Sequence, residues 1–428
     1  PHESLREPLA STLGVVVFQD QVLDVAIALA GFTIGEAEGL RRAMSRKRSH
    51  AALEAHRARF VEGAIVNGVA EEVAQSVFDT LVGFSGFGFP KAHAAAFGLL
   101  AYQSAWLRHH YPAEFLCGLL NEQPMGFYPP ASLVRDAQRR GVEVRPPDVN
   151  LSAAKCSLEN GAWLEPGTGS SRPHAVRVGL AYVSSVGEED AEALEAEREA
   201  NGPFRDVGDL ARRTPVSRDA LEALVRGGAC DGLGPRRRDL LWELGLATRP
   251  RSVEGTRGEA KQLPLPLDPT AKTPELPDLT RWERMLADYR ETGLSVGTHP
   301  LTLLRPHLPP GTLSSAELHE ARHGSTVAFA GMAIARQRPA TAKGIVFMLL
   351  EDEHGQVNLI VPKDVYERHR GIVRGEPIVL VHGRYERIER NRNILVRELE
   401  SLSALARRVA AAPDLVTALP RAHHFGHR

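Results

Sequence analysis

A chain of 428 residues, 43% hydrophobic and 25% charged, has room for several domains and the make-up of a folded protein rather than a disordered one. Its formal net charge of −1 excludes a molecule that is cationic all over, so any binding of nucleic acid must sit in local patches. Cys117, Cys156 and Cys230 lack CxxC spacing, which suggests neither a disulfide framework nor a zinc site and fits a reducing cytoplasm. No apolar run approaches the ~18 residues of a membrane span, and no signal-peptide pattern is present. The chain opens on Pro1 rather than Met, and is expected to be part of a longer protein.

The first third reads as helical. Val22, Val25, Ala26 and Leu29 recur at helical spacing, and Gly31 closes the run. Thr33 with Glu36 predicts a capping box, and Ile34, Ala37, Leu40 and Met44 form the apolar stripe that follows. Arg42, Arg46, Lys47 and Arg48 therefore leave that helix toward solvent or a ligand. Between residues 41 and 59 seven Lys or Arg, Arg41 among them, stand against one acid, Glu54. The run has no interleaved Glu for i,i+4 pairs, which favours an anion site, with a solvated helix face as the alternative. The segment GFGFPKAH at 86–93 then sets Lys91 and His93 before a helix whose Ala95, Leu99, Tyr102 and Trp106 share a face that looks buried. Pro112 ends it. Cations at a helix end and a loop that lets backbone come close suit a polyphosphate; ordinary turn chemistry is the other reading.

Further along, a short helix at 132–140 leads into an extended stretch at 141–150, from which no chemistry follows. Residues 247–280 are a linker carrying Pro250, Pro264, Pro266, Pro269, Pro274 and Pro277. The apolar QLPLPL at 262–267 within it can bury nothing by itself and needs a partner. At 325–402 the period changes to alternation, with Val327, Phe329, Gly331 and Ala333 on one face. Short strands follow at 345–350, 357–361, 378–381 and 394–396, with a helix at 362–373 between the third and fourth strands. That order is an OB barrel, which binds single strands along one face but also serves as a protein-docking or structural module. Its candidate contacts are Arg336, Arg338, Lys343 and Phe347 on the first hairpin, with Arg384 and Arg387 on a later strand.

As strings, LRRAMSRKR at 40–48 and GFGFPKAHAAAFGLLAYQSAWLRHHYP at 86–112 resemble the fingers of bacterial family-C DNA polymerases, the DNA polymerase III alpha-subunit type. Residues 124–150 and QRPATAKG at 337–344 look more like the damage-inducible, error-prone branch than the main replicase, and residues 14–402 follow the family in order. The resemblance implies that Arg41, Arg42, Arg46 and Lys47 hold the triphosphate of an incoming dNTP, and that Lys91 and His93 touch DNA or nucleotide. Residues 175–233 resemble a tandem helix-hairpin-helix, whose glycine turns aim backbone N–H groups at DNA phosphates. The first turn is 183–187, with Ser185 where a glycine is usual and Gly187 following; the second is 224–229, with Arg226 and Gly227 and with Arg212, Arg213 and Arg218 close by. A plain helical hairpin packed inside the molecule is the alternative for the second. Gln262, Leu263, Leu265 and Leu267 resemble the peptide by which bacterial polymerases dock on the sliding clamp.

The expected architecture is multidomain: mostly helical fingers and helix-hairpin-helix, then a C-terminal β OB barrel. The expected partition is 1–150 fingers, 151–246 helix-hairpin-helix, 247–280 linker with clamp peptide, 281–324 helical connector, 325–402 OB barrel and 403–428 tail. The implied function is error-prone, DNA-directed DNA synthesis during translesion repair, with primer–template DNA, dNTP, sliding clamp and other mutagenesis proteins as partners and no membrane. The implied cofactor is Mg²⁺ on palm carboxylates expected to precede Pro1, which would leave this chain without a metal and inert by itself. A non-catalytic nucleic-acid-binding scaffold, or a replicative alpha subunit, is the alternative.

Overall fold

Glu36 and Thr33 close the capping box that the sequence predicts: the Glu36 carboxylate accepts from the Thr33 N–H at 2.7 Å, and the Thr33 hydroxyl accepts from the Glu36 N–H at 3.3 Å. The structure, a computed structural model, describes residues 2–45, 50–84, 90–126, 128–160, 173–234, 236–247, 276–388, 391–411, 419–420 and 422–425. These divide into two compact units, Pro1–His110 and Tyr111–Arg428.

In the first unit, α1 (Gln19–Ala30) stops where Gly31 takes a left-handed conformation, φ +62°. It packs with α2 (Ile34–Ser45), α3 (His50–Val66) and α4 (Glu71–Phe84) around Leu29, Leu40, Phe60 and Phe78, all fully buried. The fifth helix, α5 (Lys91–His110), has the expected extent and stops before Pro112, but none of its residues is buried. Phe97, Leu99, Leu100, Tyr102, Trp106 and Leu107 are 42–69% exposed. The expectation of a buried face is therefore corrected. Its apolar residues spread around the whole cylinder, so no single stripe could be covered by one neighbour.

The second unit begins with α6 (Pro112–Asn121) and α7 (Pro130–Gln138). A small sheet follows, in which β1 (Glu143–Arg145) and β2 (Ser157–Asn160) flank β3 (Pro173–Arg177). Then come α8 (Glu188–Asn201), α9 (Val207–Arg213), α10 (Arg218–Arg226) and α11 (Arg237–Ala247), closed on their own core of Leu180, Leu194, Leu210 and Leu224. After the linker, α12 (Arg281–Thr292) and α13 (Pro300–Leu304) lead through β4 (Thr312–Leu313) into the barrel.

The barrel strands are β5 (Thr326–Gln337), β6 (Val346–Glu351), β7 (Gln356–Val361), β8 (Ile378–Ile388) and β9 (Asn391–Ser401). They pair in the order β5–β6–β7–β9–β8, and β8 closes on β5. Between β7 and β8 lie α14 (Lys363–Arg368) and α15 (Arg370–Gly375), so five strands with helix after the third make the expected OB barrel. The chain ends with α16 (Ser403–Ala410) and β10 (His423–Phe425), which pairs with the end of β5.

Phe329, Met348, Leu359, Val381, Tyr385 and Ile394 fill the barrel. The other face of β5 and β8 is buried as well: Ala330, Met332, Ile334, Ile378 and Leu380 share a core with α6, α7, α12 and α16. The boundary expected at residue 150 thus falls inside one compact unit, because the helices before it cover a wall of the barrel.

Charge is buried at that wall. Arg135 on α7 reaches Glu351 at the end of β6 at 2.5 Å and also donates to the Tyr289 hydroxyl, while Arg139 lies 3.6 Å from the second Glu351 oxygen. Gln356 donates to the same carboxylate at 2.9 Å. His299 caps α13, its Nδ1 accepting from the Leu301 N–H at 3.0 Å, which leaves Nε2–H facing Glu351 at 3.9 Å. Burial, with Arg135, Arg139 and Arg305 nearby, holds the His299 imidazole well below its usual range. Next door, Arg305 pairs with Glu353 at 2.8 Å and with Asp352 at 3.2 Å.

Candidate nucleic-acid interface

On α2, Arg41 and Arg42 both meet Glu38, at 2.6 and 3.0 Å. The two guanidiniums hold the Glu38 carboxyl down at about 2. Arg59 pairs with Glu36 at 3.0 Å and Arg57 with Asp79 at 2.7 Å. The sequence reading of a run without interleaved acids is therefore corrected: Glu38 supplies the i,i+3 and i,i+4 partners from just outside the counted window. Arg42 keeps 71% of its side chain exposed and is the more accessible of the pair. Arg46 and Lys47, and the glycine loop at 86–88, lie outside the described residues. Lys91 is exposed at the start of α5; its N–H donates to Asp20 at 3.2 Å and its ammonium lies 6.0 Å from the Phe18 ring centroid. His93, also exposed, lies against Phe97 in a tilted arrangement, ring centroids 4.3 Å apart.

The two hairpin turns differ. In the first, Ser184, Ser185 and Gly187 are exposed and Ser185 sits in the left-handed region at φ +62°. Its N–H meets no acceptor among the described residues, and the Gly187 N–H has only a 3.4 Å contact to Asp190. In the second, Gly227 and Gly228 are buried and every donor is used: the N–H groups of Gly227, Gly228 and Ala229 go to Ala223, Val225 and Leu224 at 2.8, 3.2 and 2.9 Å. Gly228, at φ +86°, admits no side chain, since a Cβ there would stand 2.3 Å from the Arg237 guanidinium. Arg237 is itself locked to Asp231 and Asp288 at 2.9 and 2.7 Å. Gly227 is thus withdrawn as a phosphate donor, and Arg226 pairs with Glu222. The second turn is a packed helical hairpin.

On the barrel, Arg336 is 4% exposed and donates to the Glu376 carbonyl; burial pulls its guanidinium down to about 10. It is withdrawn as a strand contact, and the cause is a β-bulge. The register of β5 shifts between Ala333 and Ala335, so Arg336 pairs with Met348, an interior residue, instead of facing outward. Arg338 lies over the Tyr366 ring at 4.6 Å, and Lys343 is exposed. Arg384 and Arg387 are exposed, Arg384 meeting Glu386 at 2.5 Å. Across the outer face, register aligns Gln337, Phe347, Ile360, Leu395 and Arg384 in one row. A parallel row holds Leu349, Asn358, Asn393 and Glu386. Asn358, Ile360, Asn393 and Leu395 went unnoticed in the sequence, although period-two reading of β7 and β9 marks them as outward. An apolar row with an aromatic member and flanking amides suits unstacked bases.

The clamp-like residues Gln262, Leu263, Leu265 and Leu267 lie outside the described residues. Cys117, Cys156 and Cys230 are free and buried, and burial pushes the Cys156 thiol up to about 11, so none is poised as a nucleophile. Among the described residues no helix is long and apolar enough to cross a membrane.

Comparison with known proteins gives matches along nearly the whole chain. The model of the bacterial DNA polymerase III alpha subunit finger domain matches residues 1–68, and the helix-hairpin-helix motif model matches residues 141–240. The error-prone DNA polymerase of Anaeromyxobacter sp. (strain K) is 44% identical over 97% of this chain and 36% of its own length. The chain carries a DNA polymerase III alpha-subunit finger domain and a helix-hairpin-helix motif. The error-prone DNA polymerase of Burkholderia pseudomallei (strain K96243) is 42% identical over 95% of this chain and 37% of its own. The chain therefore spans little more than a third of the curated relatives it matches. Among solved structures, the asparaginyl-tRNA synthetase of Pyrococcus horikoshii is 21% identical over 25% of this chain and 27% of that one, with a TM-score of 0.19.

Proposed function

We propose that this chain is the DNA-, dNTP- and clamp-binding portion of an error-prone, DNA-directed DNA polymerase, a cytoplasmic nucleotidyltransferase of translesion synthesis. The observation that carries the reading is the likeness to proteins named error-prone DNA polymerase along 97% of the chain. The parts divide the work. Arg42, with Arg41, Arg46 and Lys47, receives the triphosphate; it first leaves Glu38, an exchange of one anion for a more highly charged one. Lys91 and His93 lie on the DNA side of the fingers. The first hairpin turn grips backbone phosphate through Ser185 and Gly187. The outer row of the barrel, from Phe347 to Arg384, with Arg338 and Lys343 on the hairpin above, holds the single-stranded template. Residues 262–267 dock the sliding clamp.

Polymerases of this family use two Mg²⁺ ions to activate the primer hydroxyl and stabilise the departing pyrophosphate. Among the described residues no three His, Cys, Asp or Glu side chains gather into a metal site.

The test is primer extension by the longer polypeptide that joins this chain to palm carboxylates. Extension past a template lesion is the expected result, with Arg42→Ala raising the dNTP KM by a factor of about 30, or about 2 kcal/mol, for a lost charge-assisted contact. DNA binding without incorporation would instead support the non-catalytic scaffold. Incorporation that stops at every lesion would support a replicative subunit.

A further inference from the structure

Glu291, 7% exposed on the last turn of α12, is a buried carboxylate that meets no Lys, Arg or His among the described residues. It lies more than 50 residues beyond the helix-hairpin-helix match at 141–240, yet it touches both turns of that element. Its carbonyl accepts the Ser184 N–H at 2.5 Å, and its carboxylate accepts the Ser184 hydroxyl. Its Cβ stands 3.1 Å from where a Cβ on Gly227 would be, so the buried second turn forms the floor beneath it. Ser184 is thus drawn inward by two bonds to one residue. The next residue, Ser185, is exposed and takes a left-handed conformation that a serine rarely adopts. Its N–H meets no acceptor among the described residues, and Gly187, two residues on, is exposed as well.

We propose that Glu291 is the positioning residue of the first hairpin turn. By holding Ser184 it fixes the outward pair of N–H donors at Ser185 and Gly187 for one backbone phosphate of DNA. The inference rests on the reading of that turn as a DNA grip. It makes the element three-sided: two hairpin turns and a carboxylate delivered by α12, from the far side of the linker. It also accounts for how this turn works without the usual first glycine, since an external tether supplies what glycine's conformational freedom otherwise allows.

The full 428-residue chain is titrated with a fluorescent primer–template oligonucleotide, with thermal melting alongside. Glu291→Ala should weaken binding about tenfold, as expected for a misplaced pair of phosphate hydrogen bonds. Glu291→Gln, which keeps an acceptor for the Ser184 hydroxyl, should bind within about twofold of the parent. Adding Ser185→Gly to Glu291→Ala should restore most of the loss, because glycine reaches the left-handed region unaided. A loss of general stability would not be rescued in that way. Should Glu291→Ala melt far below the parent, Ser184→Ala removes the same hydroxyl from the exposed side and should weaken binding about threefold.

Gly187→Pro separates the two ideas. At φ −72° the backbone already suits proline, so the substitution deletes one donor. If it weakens binding while Glu291→Ala and Ser184→Ala do not, Glu291 has no positioning role. If Gly187→Pro binds as the parent does, the turn is not a DNA grip at all.

Discussion

Arginine does opposite work in two regions of this molecule. On α2, Arg41 and Arg42 share Glu38 at the surface, in pairs that water screens and that an incoming anion can replace. At the barrel wall, Arg135 and Arg139 share Glu351, whose side chain is wholly buried, and the pairs join α7 to β6. Contact distances are alike, 2.6 Å on α2 and 2.5 Å at the wall. What differs is the dielectric around them, and with it what is lost on breaking them. Exposed pairs are exchangeable and suit ligand binding. Buried pairs are structural, because neither partner has anywhere else to go.

The sharpest way to break this contrast is to remove one acid from each. Glu351→Ala leaves two arginines and Gln356 facing an uncompensated site, and should cost about 3–5 kcal/mol, read as a fall in the urea midpoint of the second unit. Glu38→Ala should leave the midpoint unchanged. Equal shifts from both would mean that burial does not separate the two clusters.

A smaller effect tests the same wall by pH. The His299 imidazole is held neutral in the folded state, its pKa well below the ordinary 6.5. Below about pH 6.5 the unfolded chain therefore takes up a proton that the folded chain refuses, and stability falls as pH falls. The sign is fixed by that inequality, and the slope approaches about 1.4 kcal/mol per pH unit for one proton. His299→Asn keeps a cap for the Leu301 N–H without a titrating group. Its denaturation free energy should fall less steeply between pH 6.5 and 5 than the parent's; identical slopes would show that His299 takes up its proton in place.

What could be read in advance follows the same division. The capping box of Thr33 and Glu36, the Gly31 stop, the extent of α5 and the strand–helix order of the barrel are local patterns, and each lies within a few residues of sequence. The covered wall of the barrel was not legible. It depends on α6, α7, α12 and α16 meeting β5 and β8 across as many as two hundred positions or more, and Ala330, Met332 and Ile334 carry no mark of it. Glu291 was missed for the same reason, being joined to Ser184 from the other side of the linker. Arg336 shows a subtler failure. Alternation along β5 was read correctly as far as Ala333, and one bulge then exchanged inside for outside.

That bulge carries the smallest prediction. Arg336, Arg338 and Lys343 are neighbours in sequence and were read together as strand contacts, but only Arg338 and Lys343 can meet a phosphate. Each phosphate contact contributes about 0.7–0.9 to the slope of log affinity against log salt, through the counterions it displaces. Titrating the full chain with single-stranded oligonucleotide at several salt concentrations, Arg338→Ala with Lys343→Ala should flatten the slope by about 1.4. Arg336→Met should leave it unaltered, since a guanidinium already bonded to the Glu376 carbonyl meets no phosphate and displaces no counterion. Methionine keeps much of the buried volume, so the variant probes charge rather than packing. If Arg336→Met flattens the slope as much as the pair does, the bulge opens when a strand binds and Arg336 swings outward. The division between buried and exposed arginines would then describe the resting barrel alone.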